Sequence, residues 1–213
     1  MNPMPMITAE RLRVADFIEG LDQRQLQTPS LCMQWTVKQV AAHLISPFAI
    51  KAGWYLPAMV KSRFNLHRAF AILAARIAER PVADIAAVLR ENAETPYRAP
   101  RVGFLGQLTD LQVHGQDMRR PLGVAAELKP EALQASLEFL AGKQSNGLFV
   151  AKGLRDGLRF EATDLGWSTG SGALVQGPAE AVMLALTGRP AALAELTGDG
   201  ASLLRQRIVR RAA

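Results

Sequence analysis

Three residues of the stretch Asp110-Leu-Gln-Val-His114-Gly-Gln-Asp117 have side chains that bind metals or carry protons, and their spacing gathers them. On a helix advancing about 100° per residue, positions i, i+4 and i+7 fall along one stripe, so Asp110, His114 and Asp117 share a face. Phe104, Leu108, Leu111, Gly115 and Met118 form a second stripe, so such a helix can bury one face and offer the other to a site. Pro121 ends it, because proline lacks the amide donor and clashes with the preceding turn. A carboxylate and an imidazole one turn apart can chelate a divalent metal. The same residues can also be ordinary surface charges beside one satisfied histidine.

A second histidine bears on that choice. His43 lies in the segment from Val37 to about Ser46, where Val40, Ala41, Ala42, Leu44 and Ile45 leave almost no polar face, the pattern of a buried helix. A buried imidazole without a partner costs on the order of 1–3 kcal/mol. A backbone carbonyl would satisfy it, and so would a metal shared with His114, since neutral imidazole is the usual nitrogen ligand of zinc, iron and nickel. If Asp110 and His114 chelate from one helix and His43 approaches from another, the set is two nitrogens and one oxygen. Three protein ligands with an open position is the arrangement of a catalytic rather than a structural metal, able to lower the pKa of a bound water or thiol or to polarise a carbonyl. His67, the remaining histidine, has no partner at i+3 or i+4 and is set aside. Cys32 is the sole cysteine, which excludes an intrachain disulfide and a multi-cysteine zinc cluster; it reads as a small buried hydrophobe outside the ligand set.

The elements that must position these groups are helical. With 49% hydrophobic and only 6% aromatic residues, rich in alanine and leucine, the 213-residue chain favours helices over sheet and is long enough for a sizeable core. Thr8 is expected to cap a first helix running to about Leu21. Thr36 with Gln39 makes a capping box for the His43 helix, and Trp35 can staple its start. A third helix is expected from Trp54 through Phe64 and Phe70 to Glu79, a fourth over Pro81 to Asn92, then the Asp110 helix, and another over Pro130 to Ala141. Beyond Gly142 glycines punctuate short runs such as Leu158 to Thr163 and Ala173 to Gln176, which read as two or three short strands, followed by helices at Pro178 to Leu186 and Ala201 to Val209. The expected organisation is a helical bundle over residues 1–142 and a small C-terminal lobe over 143–213.

The net charge of +6 does not by itself indicate nucleic acid, because no basic stripe is interleaved with aromatics. No apolar run approaches the roughly 18 residues of a membrane span, and residues 1–10 lack the pattern of a signal peptide, so a cytoplasmic setting without a membrane is expected.

Several motifs resemble one family. Trp35-Thr-Val-Lys-Gln-Val-Ala-Ala-His43-Leu, Val113-His114-Gly-Gln-Asp117-Met-Arg-Arg-Pro-Leu-Gly123, Ala162-Thr-Asp164 through Trp167, Gly177-Pro-Ala-Glu180 and Thr187-Gly-Arg189-Pro190 are similar to the mycothiol-dependent maleylpyruvate isomerase family, a branch of the DinB-like metal-binding bundles. The resemblance runs from about residue 8 to 205, and its first two motifs are the more specific. It implies a mainly α protein, a DinB-like four-helix bundle with a small C-terminal α+β lobe, and a divalent metal, usually zinc, with mycothiol or a similar thiol as cosubstrate. It places the metal ligands on His43, Asp110 and His114, where the isomerase has glutamate rather than aspartate at the second position. Asp117 would orient an imidazole from behind or pair with an arginine, and Arg189 is the candidate cation for the thiol. The activity implied is a transferase or isomerase acting on a small electrophile. A metal-dependent hydrolase and a non-catalytic metal or small-ligand binder are the alternatives, since fold does not fix function. Substrate and oligomeric state are not legible in the sequence.

Overall fold

The computed structural model describes residues 2–32, 35–125 and 128–212, and the side chains at 52, 66, 67 and 212 lie outside that description. The chain is mainly α-helical with a small mixed α+β part, as expected. It divides by packing into two compact units, one of Met1–Tyr97 with Asp110–Ala126 and one of Arg98–Thr109 with Glu127–Ala213. The division falls inside one helix, between Thr109 and Asp110.

In the first unit, α1 (Met4–Glu19) is followed by a short α2 (Gln23–Leu26), then α3 (Val37–Leu44), α4 (Ser46–Ala49), α5 (Ala52–Lys61), α6 (Leu66–Ile77) and α7 (Val82–Glu91). The helix α8 (Gly103–Arg119) enters this unit at Asp110. The chief pairings are α1 on α7, α3 on α6 and α5 on α6. Arg90 of α7 reinforces the first by reaching Asp16 and Glu19 of α1 at 2.8 and 2.6 Å.

Two expectations for this unit are corrected. Thr8 is not a cap: α1 starts four residues earlier, because Pro3 and Pro5 suit a first turn that needs no amide donors, and the Thr8 hydroxyl instead donates to the Ala93 carbonyl. The single third helix is two, broken between Lys61 and Leu66 where Arg63 and Phe64 adopt left-handed backbone with φ of 54° and 60°. Asn65 then caps α6, accepting from the Arg68 amide at 3.0 Å. The capping box at α3 forms as expected: Thr36 Oγ1 accepts from the Gln39 amide at 3.3 Å, and Gln39 Oε1 accepts from the Thr36 amide at 2.9 Å.

The second unit holds α9 (Pro130–Ala141) and a three-stranded sheet in the order β2–β1–β3, with β1 Leu158–Ala162, β2 Trp167–Gly170 and β3 Ala173–Gly177. β2 runs antiparallel to β1 and β3 parallel. Leu158, Phe160 and Ala162 alternate into the core. Gly170 is required at the end of β2, where φ is +81° and a Cβ would lie 2.4 Å from the Leu158 carbonyl oxygen. Helix α10 (Ala179–Leu186), buried except at Glu180, and then α11 (Ala201–Ala212) complete the unit.

Candidate metal centre

The capping box starts α3 so that Val40, Ala41, Ala42 and Leu44 are buried, and His43 follows them into the unit with its side chain 19% exposed. Burial pushes its imidazolium down to about 4, with His114 adding to that effect and Asp110 and Asp117 opposing it, so the ring is neutral at pH 7. Its Nδ1 is buried with no hydrogen-bond partner among the described residues, and its Nε2 stands 3.8 Å from Asp110 Oδ2, too far for a hydrogen bond. With the proton on Nδ1, the Nε2 that faces Asp110 has the lone pair that a metal would take.

Both stripes of α8 lie in the interior. From Gly106 to Arg119 every residue is buried except Asp110, including Thr109, Gln112, Gln116 and Asp117. The chemical stripe is therefore internal, and Asp110 is where the site reaches solvent. His114 Nε2 lies 3.5 Å from Asp110 Oδ1, and His114 Nδ1 makes a 2.8 Å hydrogen bond with Asp117 Oδ2. An ionised carboxylate only accepts, so Nδ1 carries the proton and Nε2 presents its lone pair toward Asp110 and His43. Of the two partners open to Asp117 in the sequence, the imidazole is one that it takes.

His43, Asp110 and His114 each offer a ligand atom, all within 4.8 Å of one another. The two oxygens of Asp110 stand 3.5 Å from His114 Nε2 and 3.8 Å from His43 Nε2, near the roughly 3.3 Å that separates ligand atoms about 2.0–2.1 Å from one zinc at tetrahedral angles. The donor set, the unpartnered imidazole and the pre-set tautomer all fit a divalent metal. Cys32, His114 and Asp117 form a second group within the same limit. That set would use a carboxylate already engaged by the His114 Nδ1 proton, whereas the first uses the free Nε2.

The surroundings were not foreseen from the sequence. Trp35, read as a staple, lies with its ring centroid 5.0 Å from His43 and 6.2 Å from His114, and Phe70 meets His43 edge-on at 5.9 Å. Burial and the charge of Asp110 push the Tyr97 phenol up, so it stays protonated. Cys32 reaches His114 and Asp117 because its loop returns over the end of α8, the Leu31 amide donating to the Asp117 carbonyl at 3.0 Å. Helical periodicity carries no signal for groups that arrive from loops. His67 belongs to α6, and its side chain lies outside the described residues. Arg189 belongs to the second unit, half-buried, and donates to the Thr187 carbonyl at 2.6 Å.

Among curated proteins and solved structures, none matches the chain. A family model described as the mycothiol maleylpyruvate isomerase N-terminal domain matches residues 7–121, a span that contains both helices bearing the candidate ligands and the loop that carries Trp35. More than half of the 213 residues lie in that span, and the chain belongs to the mycothiol maleylpyruvate isomerase N-terminal domain family.

Proposed function

We propose that the protein is a cytoplasmic, divalent-metal-dependent enzyme that uses mycothiol or a similar low-molecular-weight thiol to transfer or isomerise a small electrophilic substrate, with zinc as its metal. His43, Asp110 and His114 are the ligands. The observation that carries this reading is the 2.8 Å bond between His114 Nδ1 and the buried Asp117, which aims Nε2 at the two other donors. A bound divalent ion supplies positive charge that lowers the pKa of a neighbouring thiol, and the thiolate is the nucleophile.

The chain's own residues do the rest. Asp117 fixes the His114 tautomer and ring. Burial keeps His43 unprotonated at neutral pH, so no proton competes for its lone pair. Trp35 and Phe70 pack against the imidazoles and limit water around them. Asp110, partly exposed, leaves the ligand group open to small molecules. Arg189 is assigned to the anionic groups of the thiol on family resemblance, and Arg189→Ala is expected to raise the KM for thiol while sparing metal content.

The test is metal analysis of protein purified without chelator, followed by turnover of a panel of small electrophiles, unsaturated keto acids among them, with and without mycothiol. Turnover that requires both metal and thiol is the expected result. Equal turnover without thiol would replace this reading by the hydrolase, and metal-loaded protein that neither turns over nor binds thiol would leave a passive metal binder.

A further inference from the structure

The helix α5 departs from the usual design of a surface helix. It has no charged residue between Lys51 and Lys61. One face, with Trp54, Ala58 and Met59, packs on the cluster of Ala69, Ile72 and Leu73. The other is apolar as well but faces solvent: Leu56 is 68% exposed, Val60 58%, and Tyr55 42%. Phe64, held by its left-handed backbone in the turn just after the helix, is 70% exposed. A helix apolar on all sides belongs in a core or against an apolar phase. The charge around it is one-sided. Residues 23–78 contain seven Lys and Arg and no Asp or Glu, whereas the rest of the chain has eighteen basic against nineteen acidic residues. Lys51, Lys61, Arg63 and Arg68, all exposed, flank the apolar tip.

We propose that α5 and the turn after it dock the protein reversibly on an anionic lipid membrane, with Leu56, Val60 and Phe64 entering the acyl boundary and the flanking Lys and Arg meeting phosphate headgroups. Among the described residues no helix is long and apolar enough to cross a membrane, so the contact is interfacial. Charge complementarity selects this occupant. A second copy of the chain would set two positive faces against each other in a two-fold contact. An acidic protein would have to offer a pocket to side chains that protrude, whereas a lipid leaflet places negative charge directly above hydrocarbon in the order these residues require.

The experiment is co-sedimentation of the full chain with vesicles of phosphatidylcholine alone and of phosphatidylcholine mixed with phosphatidylglycerol, at low and physiological salt. Binding to the mixed vesicles only, weakened by salt, is expected. The double variant Leu56→Ser/Phe64→Asn should lower partitioning about tenfold, asparagine being tolerated in the left-handed turn, and Lys61→Gln/Arg63→Gln roughly twentyfold. All four side chains are exposed, so helical content and metal content should stay at wild-type values in both variants, which separates this surface from the metal centre. Absence of binding to the anionic vesicles at low salt overturns the proposal. So does undiminished binding by Leu56→Ser/Phe64→Asn, a dimer in sedimentation equilibrium that those substitutions dissolve, or binding to polyglutamate that they weaken as much as vesicle binding.

Discussion

At the scale of single residues, the site turns on one carboxylate that is not among the proposed ligands. Asp117 is fully buried and committed to the His114 Nδ1 proton, so Asp117→Asn should lower metal affinity by about 10–100-fold while leaving the three ligands in place, as read by competition with a chromogenic chelator. His43→Ala and His114→Ala should abolish stoichiometric metal, and His67→Ala should leave the metal-to-protein ratio at the wild-type value. Cys32→Ala should keep both the metal and thiol-dependent turnover, because Cys32 is not among the proposed ligands His43, Asp110 and His114. Asp110, His114 and Asp117 were legible in the sequence because one helix fixes their mutual positions. Trp35, Phe70, Tyr97 and Cys32 were not, because each comes to the site from another helix or a loop.

At the scale of elements, the clearest sequence signal was the one satisfied by two reciprocal hydrogen bonds, the Thr36–Gln39 box. It starts the helix that carries His43, so its loss should be felt at the site as well as in stability. Thr36→Ala is expected to cost about 1 kcal/mol in urea unfolding and to weaken metal binding, whereas Thr36→Ser should restore both. Helices with strong periodicity were read to within a few residues, as at Pro130–Ala141 and Ala179–Leu186. The misreadings have physical causes. Pro3 and Pro5 begin α1 by tolerating a missing amide donor, and periodicity carries smoothly across Arg63 and Phe64 although the backbone there turns left-handed, a conformation that non-glycine sequence does not advertise. The depth at which α8 is buried was not legible for a related reason: helical spacing says which residues share a face, not what covers that face.

At the scale of the whole molecule, the proposed ligands sit on two helices far apart in sequence, His43 on α3 and the Asp110–His114 pair on α8, so an ion held by them acts as a cross-link between elements that the unfolded chain keeps apart. A ligand that binds only the folded state stabilises it by about 2.7 kcal/mol when free metal is 100 times Kd. In a chain of this size that corresponds to a rise in unfolding temperature of about 5–10 °C. Chelation should therefore lower the unfolding temperature of the wild type by that order, and added zinc should restore it. The His114→Ala protein should unfold at one temperature with or without chelator, because it has no ion to lose. The two compact units sharpen the measurement. All three proposed ligands belong to the unit formed by Met1–Tyr97 and Asp110–Ala126, so amide exchange should slow on metal binding in α3 and in the second part of α8, while the β1–β2–β3 sheet keeps its apo rates. Protection confined to the sheet, or a chelator effect that persists in His114→Ala, would place the ion elsewhere.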